Sequence, residues 1–268
     1  MTALTTALGD GGTIAWRNLI KTRRNPDLIG MVVLTPIMFV LLFAYVFGNA
    51  IHIPGISYRE YMMAGVFTET VAFGASLTGY GLVLDLQKGI IDRFRGLPMA
   101  PSAVLVGRTT SDLLAGVVSL AVMSAMGLVV GWRVHSGPAK ALLGMLVLLM
   151  FTYALSWVMA TLALSMRSPE VFSNASTMLI FPLAFVANTF VDSATMPGPL
   201  RFFAEWNPVS AVTQAARVCF GNASPNVTQH SHAWALHHPI VASVLWTAAL
   251  LAVFVPLATR QYQKAVSR

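Results

Sequence analysis

Six long runs free of charged residues, interrupted once by Glu69, constrain this chain more than any other feature of its sequence. Each run is close to the roughly 20 residues that an α-helix needs to cross the hydrocarbon core of a bilayer. None alternates polar and apolar residues as a barrel strand does. The sequence therefore predicts an all-α integral membrane protein with six transmembrane helices, at residues 28–47, 61–84, 113–131, 141–166, 171–191 and 240–258.

Composition agrees with this class, because only 10% of the residues are charged where soluble domains carry about a quarter. We expect a single transmembrane domain over residues 28–259, between a cytoplasmic N-terminus (1–27) and a cytoplasmic tail (260–268). The first thirteen residues have no apolar core, so we expect no cleavable signal peptide. Residues 13–27 place Trp16 and Ile20 on one helical face and basic residues on another, which predicts an interfacial helix.

The net charge of +7 is unevenly distributed. Most Lys and Arg residues lie at the two termini and in the 85–112 segment, whereas all six histidines fall in the loops predicted for the opposite side. The positive-inside rule then places the termini and the 85–112 segment in the cytoplasm. The basic charge therefore indicates topology and attraction to lipid headgroups, and we expect no nucleic-acid partner.

The segment between the second and third runs is amphipathic. Leu86, Ile90, Phe94 and Leu97 recur with helical spacing as one apolar stripe, and charged residues occupy the other face. Gly96 and two prolines then end the predicted helix. Two interpretations remain open on the pattern alone: the helix rests on lipid headgroups, or it docks onto a soluble cytoplasmic partner.

Two motifs carry a resemblance to a known family. Residues 87–108, "QKGIIDRFRGLPMAPSAVLVGR", resemble the cytoplasmic segment of ABC type-2 exporter permeases, through Gly89, Asp92, Arg93, Phe94, Arg95 and Pro98. Residues 196–222 resemble the external segment of that family, particularly of its daunorubicin-resistance branch, through Asn207, Pro208 and Arg217. One departure is Leu86-Gln87-Lys88, which replaces a Glu-rich start.

The resemblance implies a permease that works as a dimer, of identical or different chains, with two copies of a separate ATP-hydrolysing subunit. The chain itself contains no G-x-x-x-x-G-K-[ST] loop, so ATP and magnesium are expected on the partner; we expect no cofactor and no catalytic residue in this chain. The residues expected to couple it to the ATPase are Leu86, Gly89, Ile90, Asp92, Arg93, Phe94, Arg95 and Pro98.

Glu69 is the only ionisable residue well inside a predicted span. A charge near the bilayer centre costs at least about 2.5–3.5 kcal/mol, so a functional role is the first hypothesis, and a structural hydrogen bond between helices is the alternative. The predicted substrate pathway comprises Glu69, Thr68, Phe73, Asn174, Phe181 and Asn188. The external segment, 192–238, predicts short helices that lie on the outer leaflet or re-enter it.

Other functions fit less well. An intramembrane serine protease needs a histidine base, which no span contains, and a prenyltransferase needs clustered aspartates. Four histidines in the last loop lack a nearby carboxylate pair or cysteine, so we predict no metal site. The prediction is an ABC exporter subunit of the bacterial inner membrane that moves a hydrophobic or amphipathic molecule, drug-like or lipid-like, out of the cell. An ATP-independent secondary transporter or channel is the main alternative, and a polysaccharide-exporting ABC permease is the next.

Overall fold

A computed structural model describes residues 26–48, 53, 55–89, 103–224, 231 and 233–266. Within this part of the chain the fold is built from helices, without strands. We number the helices in chain order: α1 (Pro26–Leu41, continued by a π-helical turn at Leu42–Phe47), α2 (Tyr58–Gln87), α3 (Ala103–Val129), α4 (Pro138–Leu164), α5 (Pro169–Phe185), α6 (Gly198–Trp206), α7 (Pro208–Phe220), α8 (Trp234–His237) and α9 (Pro239–Val266).

The all-α prediction is confirmed, and a described helix overlaps each of the six apolar runs. Among the described residues, three helices are long and apolar enough to cross a membrane by length and composition: Val104–Val129, Pro138–Leu164 and Pro239–Lys264. The six-span count therefore stays a prediction. The helix boundaries differ from the runs, since α3 begins ten residues before its run and α9 continues to Val266, past the expected domain boundary at residue 259.

Helix α2 is the centre of the bundle. It packs against α1, α3, α4, α5 and α7, and most of its residues are buried. Two glycines allow these close approaches: a Cβ on Gly65 would lie 2.2 Å from the Thr189 carbonyl oxygen, and one on Gly79 would lie 2.2 Å from the Phe172 ring. Because α2 contacts protein rather than lipid on most sides, it carries many small and polar residues.

The first helix is irregular where it faces α2. Pro36 lies inside α1 and has no N–H, so one backbone carbonyl in the preceding turn has no helical donor. The π-helical turn follows six residues later, and such turns are frequent at functional sites. Phe43 in that turn stacks on Phe190, with 4.0 Å between ring centroids.

The two helices in the predicted external segment differ in their surroundings. Helix α6 exposes Leu200, Phe202 and Trp206, as expected for a helix on a leaflet surface. Helix α7 is almost wholly buried and packs against α2, α4 and α9, because its small residues permit close contact. Phe220 at its end packs edge-to-face against Phe67 and Trp132, an arrangement that aromatic pairs prefer.

Candidate functional site

A half-open cavity of about 340 Å³ lies between α1, α2 and α3, with Thr152 of α4 at one wall. Its lining is mainly apolar and includes Phe39 of α1 and Phe73 of α2. Two acidic residues, Glu69 and Asp112, also line it. Ligand sites commonly combine an apolar wall with a few placed polar groups, so this cavity is the candidate site.

Glu69 lies on α2 and is 1% exposed. Neither of its carboxyl oxygens has a hydrogen-bond partner among the residues that the structure describes. The structure therefore provides no support in this region for the alternative role, a hydrogen bond that joins two helices. A buried polar group without a partner costs about 1–3 kcal/mol, so a functional role at the cavity stays the first hypothesis for Glu69.

Asp112 on α3 is the second acidic residue in the cavity wall, and it was not among the pathway residues predicted from the sequence. Its Oδ2 is buried with no hydrogen-bond partner in the described part of the chain. Thr78 of α2 lies in hydrogen-bonding range of this carboxyl group, and Arg108, one turn earlier on α3, interacts with it electrostatically. The aspartate therefore lies where α2 and α3 meet, at the level of Thr78.

Arg108 joins α3 to α2 next to this carboxyl group. Its Nη2 donates to the Leu77 carbonyl at 3.2 Å, and its Nη1 lies 3.7 Å from Oδ2 of Asp85. Gly81 makes the approach feasible, because a Cβ there would lie 1.7 Å from Nη2 of Arg108. The guanidinium thus holds together the ends of α2 and α3 that flank residues 88–102.

The predicted coupling segment begins within the described residues and continues outside them. Leu86 is half-buried at the end of α2 and packs against the core. Gly89 follows with φ +61°, a conformation that favours glycine, and its N–H donates to the Leu86 carbonyl. The other predicted coupling residues lie outside the described residues: Ile90, Asp92, Arg93, Phe94, Arg95 and Pro98.

The remaining pathway candidates do not line the cavity. Thr68 is buried and its hydroxyl donates to the Ala64 carbonyl in its own helix. Asn188 is buried near α7, where its N–H donates to the Ser210 hydroxyl. Asn174 and Phe181 lie on the exposed face of α5. Of the six predicted pathway residues, the structure thus brings Glu69 and Phe73 together at one cavity.

Arg217 of the external motif is a buried contact between helices. Its Nε donates to the Tyr61 carbonyl at 3.1 Å, and its Nη2 donates to the Thr189 carbonyl at 2.6 Å. The guanidinium carbon also lies 3.5 Å from the centroid of the Tyr61 ring, a cation–π geometry. Tyr61 in turn donates its hydroxyl to the Asn188 carbonyl. This arginine joins α7, α2 and the chain that follows α5.

Asn207 and Pro208 connect α5 to α7. The Asn207 Nδ2 donates to the carbonyls of Leu183 and Val186, at 2.7 and 3.0 Å, and its Oδ1 accepts from the Val209 N–H at 2.9 Å. The amide therefore satisfies backbone groups at the end of α5 and at the start of α7. Pro208 occupies the first position of α7, where no N–H is needed.

The described part of the chain contains no group of three or more His, Cys, Asp or Glu side chains placed to hold a metal ion. Nε2 of His237 lies 2.8 Å from the Ser231 carbonyl oxygen, and the ring centroids of His238 and Trp234 are 5.4 Å apart. The loop histidines 230 and 232 lie outside the described residues.

Sequence reasoning missed Asp112 and Arg108 because it treated the third span as starting at residue 113. A signal was present: the two residues have opposite charge at i, i+4 spacing, which is typical of one helix. A helix predicted to begin before Arg108 would have included both charged residues in the helix bundle, as α3 does.

Known transport permeases resemble this chain over most of its length. The daunorubicin resistance ABC transporter permease protein DrrB1 of Streptomyces coeruleorubidus is 33% identical over 261 residues, covering 97% of this chain and 88% of that protein. The probable doxorubicin resistance ABC transporter permease protein DrrC of Mycobacterium tuberculosis is 26% identical over 255 residues, covering 92% and 86%. The putative transport permease ycf38 of Porphyra purpurea is 22% identical over 219 residues, covering 80% and 74%.

The family model for ABC-2 type transporters matches residues 11–220, which include the candidate cavity and the buried contacts of Arg217. With most of its length matched and a relative 33% identical over nearly the whole chain, this protein belongs to the ABC-2 type transporter permease family.

Proposed function

We propose that this chain is the transmembrane subunit of an ATP-driven exporter that moves a hydrophobic or amphipathic molecule, drug-like or lipid-like, out of a bacterial cell. The observation that carries the proposal is the largely apolar cavity between α1, α2 and α3, which is lined by Phe39, Phe73 and Glu69. The relatives named for daunorubicin and doxorubicin resistance support a drug-like cargo.

The energy for transport comes from a partner subunit. ABC-2 permeases are membrane components of transporters, and homologues of this chain work with an ABC ATPase. The absence of a G-x-x-x-x-G-K-[ST] loop from the sequence agrees with ATP hydrolysis on the partner. The assembly proposed here has two ATPase copies and a second permease chain, identical or different.

Residues 86–98 are the proposed contact with the ATPase. This segment joins α2 to α3, and both of these helices form walls of the cavity. Arg108 ties the same two helices together through Asp85 and the Leu77 carbonyl. A force on the segment therefore acts on the cavity through rigid helices, and the cavity alternates between inward- and outward-facing forms as the ATPases close and open.

The proposed topology has six spans, with both termini and residues 85–112 in the cytoplasm and the chain in the bacterial inner membrane. It rests on the distribution of Lys and Arg and on the helix found over each apolar run. Helix α6 then lies at the outer leaflet, where its exposed aromatic residues suit the interface between lipid and water.

The decisive experiment reconstitutes the chain with its ATPase in lipid vesicles and measures ATP-dependent movement of daunorubicin. Phe94→Asp removes an apolar residue of the proposed contact, whereas Phe94→Leu preserves its apolar character and is the matched control. We expect Phe94→Asp to lose co-purification with the ATPase and ATP-dependent transport, and Phe94→Leu to retain both. Normal co-purification and transport by Phe94→Asp would refute the proposed contact.

A secondary transporter driven by an ion gradient is the second candidate. The observation in its favour is the presence of two carboxyl groups, Glu69 and Asp112, in one cavity, since proton-coupled carriers use buried carboxylates. Vesicles that contain this chain without an ATPase, under an imposed proton gradient, separate the two functions. Substrate accumulation in those vesicles would support this second function, and accumulation only with ATPase and ATP supports the exporter.

A further inference from the structure

The cavity has an acidic residue at each of two levels along α2. Glu69 marks one level, and Asp112 lies at the level of Thr78, nine residues further along the helix. At about 1.5 Å of rise per residue, the two levels are about 13 Å apart along the helix axis. Phe73 and Leu77 line the wall between them. The space is therefore a slot with an apolar middle and one carboxyl group toward each end.

Both carboxyl groups have buried oxygen atoms without a hydrogen-bond partner among the described residues. Glu69 is 1% exposed, and neither of its oxygens has such a partner. Asp112 has one oxygen of this kind, Oδ2, although Thr78 lies in hydrogen-bonding range of its carboxyl group and Arg108 is near it. Groups of this kind normally acquire a partner, because leaving them without one is costly. A ligand that brings its own positive charge or hydrogen-bond donor would supply that partner.

The charges around the slot favour a cation. Arg108 is the basic residue near Asp112, and it also contacts Asp85, so one guanidinium faces two carboxyl groups. The residues that line the slot include no Lys, Arg or His in the part of the chain that the structure describes. Phe39 and Phe73 add aromatic surface, which attracts cations through the ring faces and packs against apolar groups.

We propose that this slot is a binding site for an amphipathic organic cation, with Asp112 and Glu69 as its two charge-recognising positions. The inference rests on the proposed function and deepens it by naming a class of cargo. Asp112 is the position nearer to the end of α2 and the start of α3, and Glu69 lies deeper in the bundle. The apolar wall between them accommodates the body of the ligand.

The test uses two ions of nearly equal size and shape, tetraphenylphosphonium and tetraphenylborate, which differ in the sign of their charge. Equilibrium dialysis measures their binding to the full chain in zwitterionic lipid nanodiscs, against empty nanodiscs. Relative to empty nanodiscs, we expect the chain to add binding of the cation and no binding of the anion. Glu69→Gln and Asp112→Asn, which remove the charge at nearly constant shape, should each weaken cation binding by about tenfold or more.

Glu170→Gln is the matched control, because Glu170 is an exposed carboxylate at the start of α5, away from the slot. It should leave cation binding unchanged. The temperature at which the buried thiol of Cys219 becomes reactive checks that the three variants remain folded. Equal binding of the two ions, or unaltered cation binding in both Glu69→Gln and Asp112→Asn, would overturn the inference.

ATP-dependent transport with the ATPase separates this inference from the function beneath it. If Glu69→Gln and Asp112→Asn both leave the export of daunorubicin and tetraphenylphosphonium intact, the exporter function is supported and the cation site is refuted. If binding is charge-selective but neither compound is exported with ATP, the cation site is supported and the exporter function is refuted.

Discussion

Asn207 uses both ends of its side-chain amide, and this distinguishes its role from simple capping. Its oxygen accepts from the Val209 N–H, as an N-cap does, while its nitrogen donates to the carbonyls of Leu183 and Val186. Aspartate caps helices about as well as asparagine, but an ionised carboxylate has no donor. The contribution of the amide nitrogen is therefore testable with a conservative change.

We predict that Asn207→Asp lowers the stability of the protein by about 2 kcal/mol or more, because it places carboxylate oxygen against two carbonyl oxygens. Asn207→Ala, which loses the cap and both donors but adds no repulsion, should be no more harmful. The midpoint of thermal unfolding in detergent is read from the reaction of Cys219, the single cysteine, with a thiol-reactive fluorophore. Wild-type stability of Asn207→Asp would show that capping is the whole role.

Single residues differ in how far the sequence reveals them. Glu69 stands out because a charge in an apolar run has a large cost, and the structure places it in the cavity wall. Asn174 and Phe181 carry no such signal, since an amide or an aromatic ring in a span suits several environments, and both lie on an exposed face. The contacts of Arg217 join chain segments up to 156 residues apart, which no local pattern encodes.

Between elements, close approach depends on particular glycines. Gly65 of α2 faces the Thr189 carbonyl, so that a Cβ there would lie 2.2 Å from a backbone oxygen. Gly74 lies nine residues later on the same helix, and a Cβ there would have no heavy atom within 4 Å. The same substitution at the two positions therefore separates the effect of packing from that of helix propensity.

We expect Gly65→Ala to destabilise the fold by about 1–3 kcal/mol, because α2 must move away from backbone that cannot yield as a flexible side chain would. Gly74→Ala should be neutral or stabilising by up to about 1 kcal/mol, because alanine favours a helix interior. The Cys219 thiol-reactivity midpoint measures both variants. Equal effects at the two positions would contradict the close packing of α2 against residue 189.

The helices themselves follow from the sequence better than their ends do. Apolar runs predict where a helix meets lipid, but a helix continues past its run wherever protein covers its polar residues. Helix α3 shows this, since Arg108 and Asp112 precede the run and contact α2. Helix α2 differs in composition from α3, α4 and α9, which are the described helices apolar enough to span a membrane. Because α2 is largely buried against other helices, it can contain more polar residues than they do.

In the whole molecule, polar and small residues are frequent among the buried positions, and many large apolar side chains face outward. The centre holds α2 and α7, whereas exposed residues such as Leu142, Met178, Leu245 and Val253 lie on the outer helices. Outward-facing apolar side chains of this kind are what a lipid surround requires. The arrangement supports insertion in a membrane, and the number of crossings and their direction are the next quantity to measure.

The six-span topology predicts which side of the membrane each loop faces. Because the sequence has a single cysteine, this prediction can be tested by cysteine labelling. Replacement of Cys219 by serine removes the only native thiol. Single cysteines are then placed at Lys88, Gly198 and Arg260, which are all exposed. A membrane-impermeant maleimide should label Gly198→Cys in cells with a permeabilised outer membrane, and label Lys88→Cys and Arg260→Cys only in inverted inner-membrane vesicles.

Each deviation from that pattern has a distinct meaning. Labelling of Lys88→Cys from outside would place residues 86–98 beyond the reach of a cytoplasmic ATPase, and the proposed coupling would be wrong. Opposite sidedness of Lys88 and Arg260 would require an odd number of crossings between them, whereas six spans require four. Because Gly198 lies between α5 and α7, its labelling also decides whether α6 faces the outside, as its exposed aromatic residues favour.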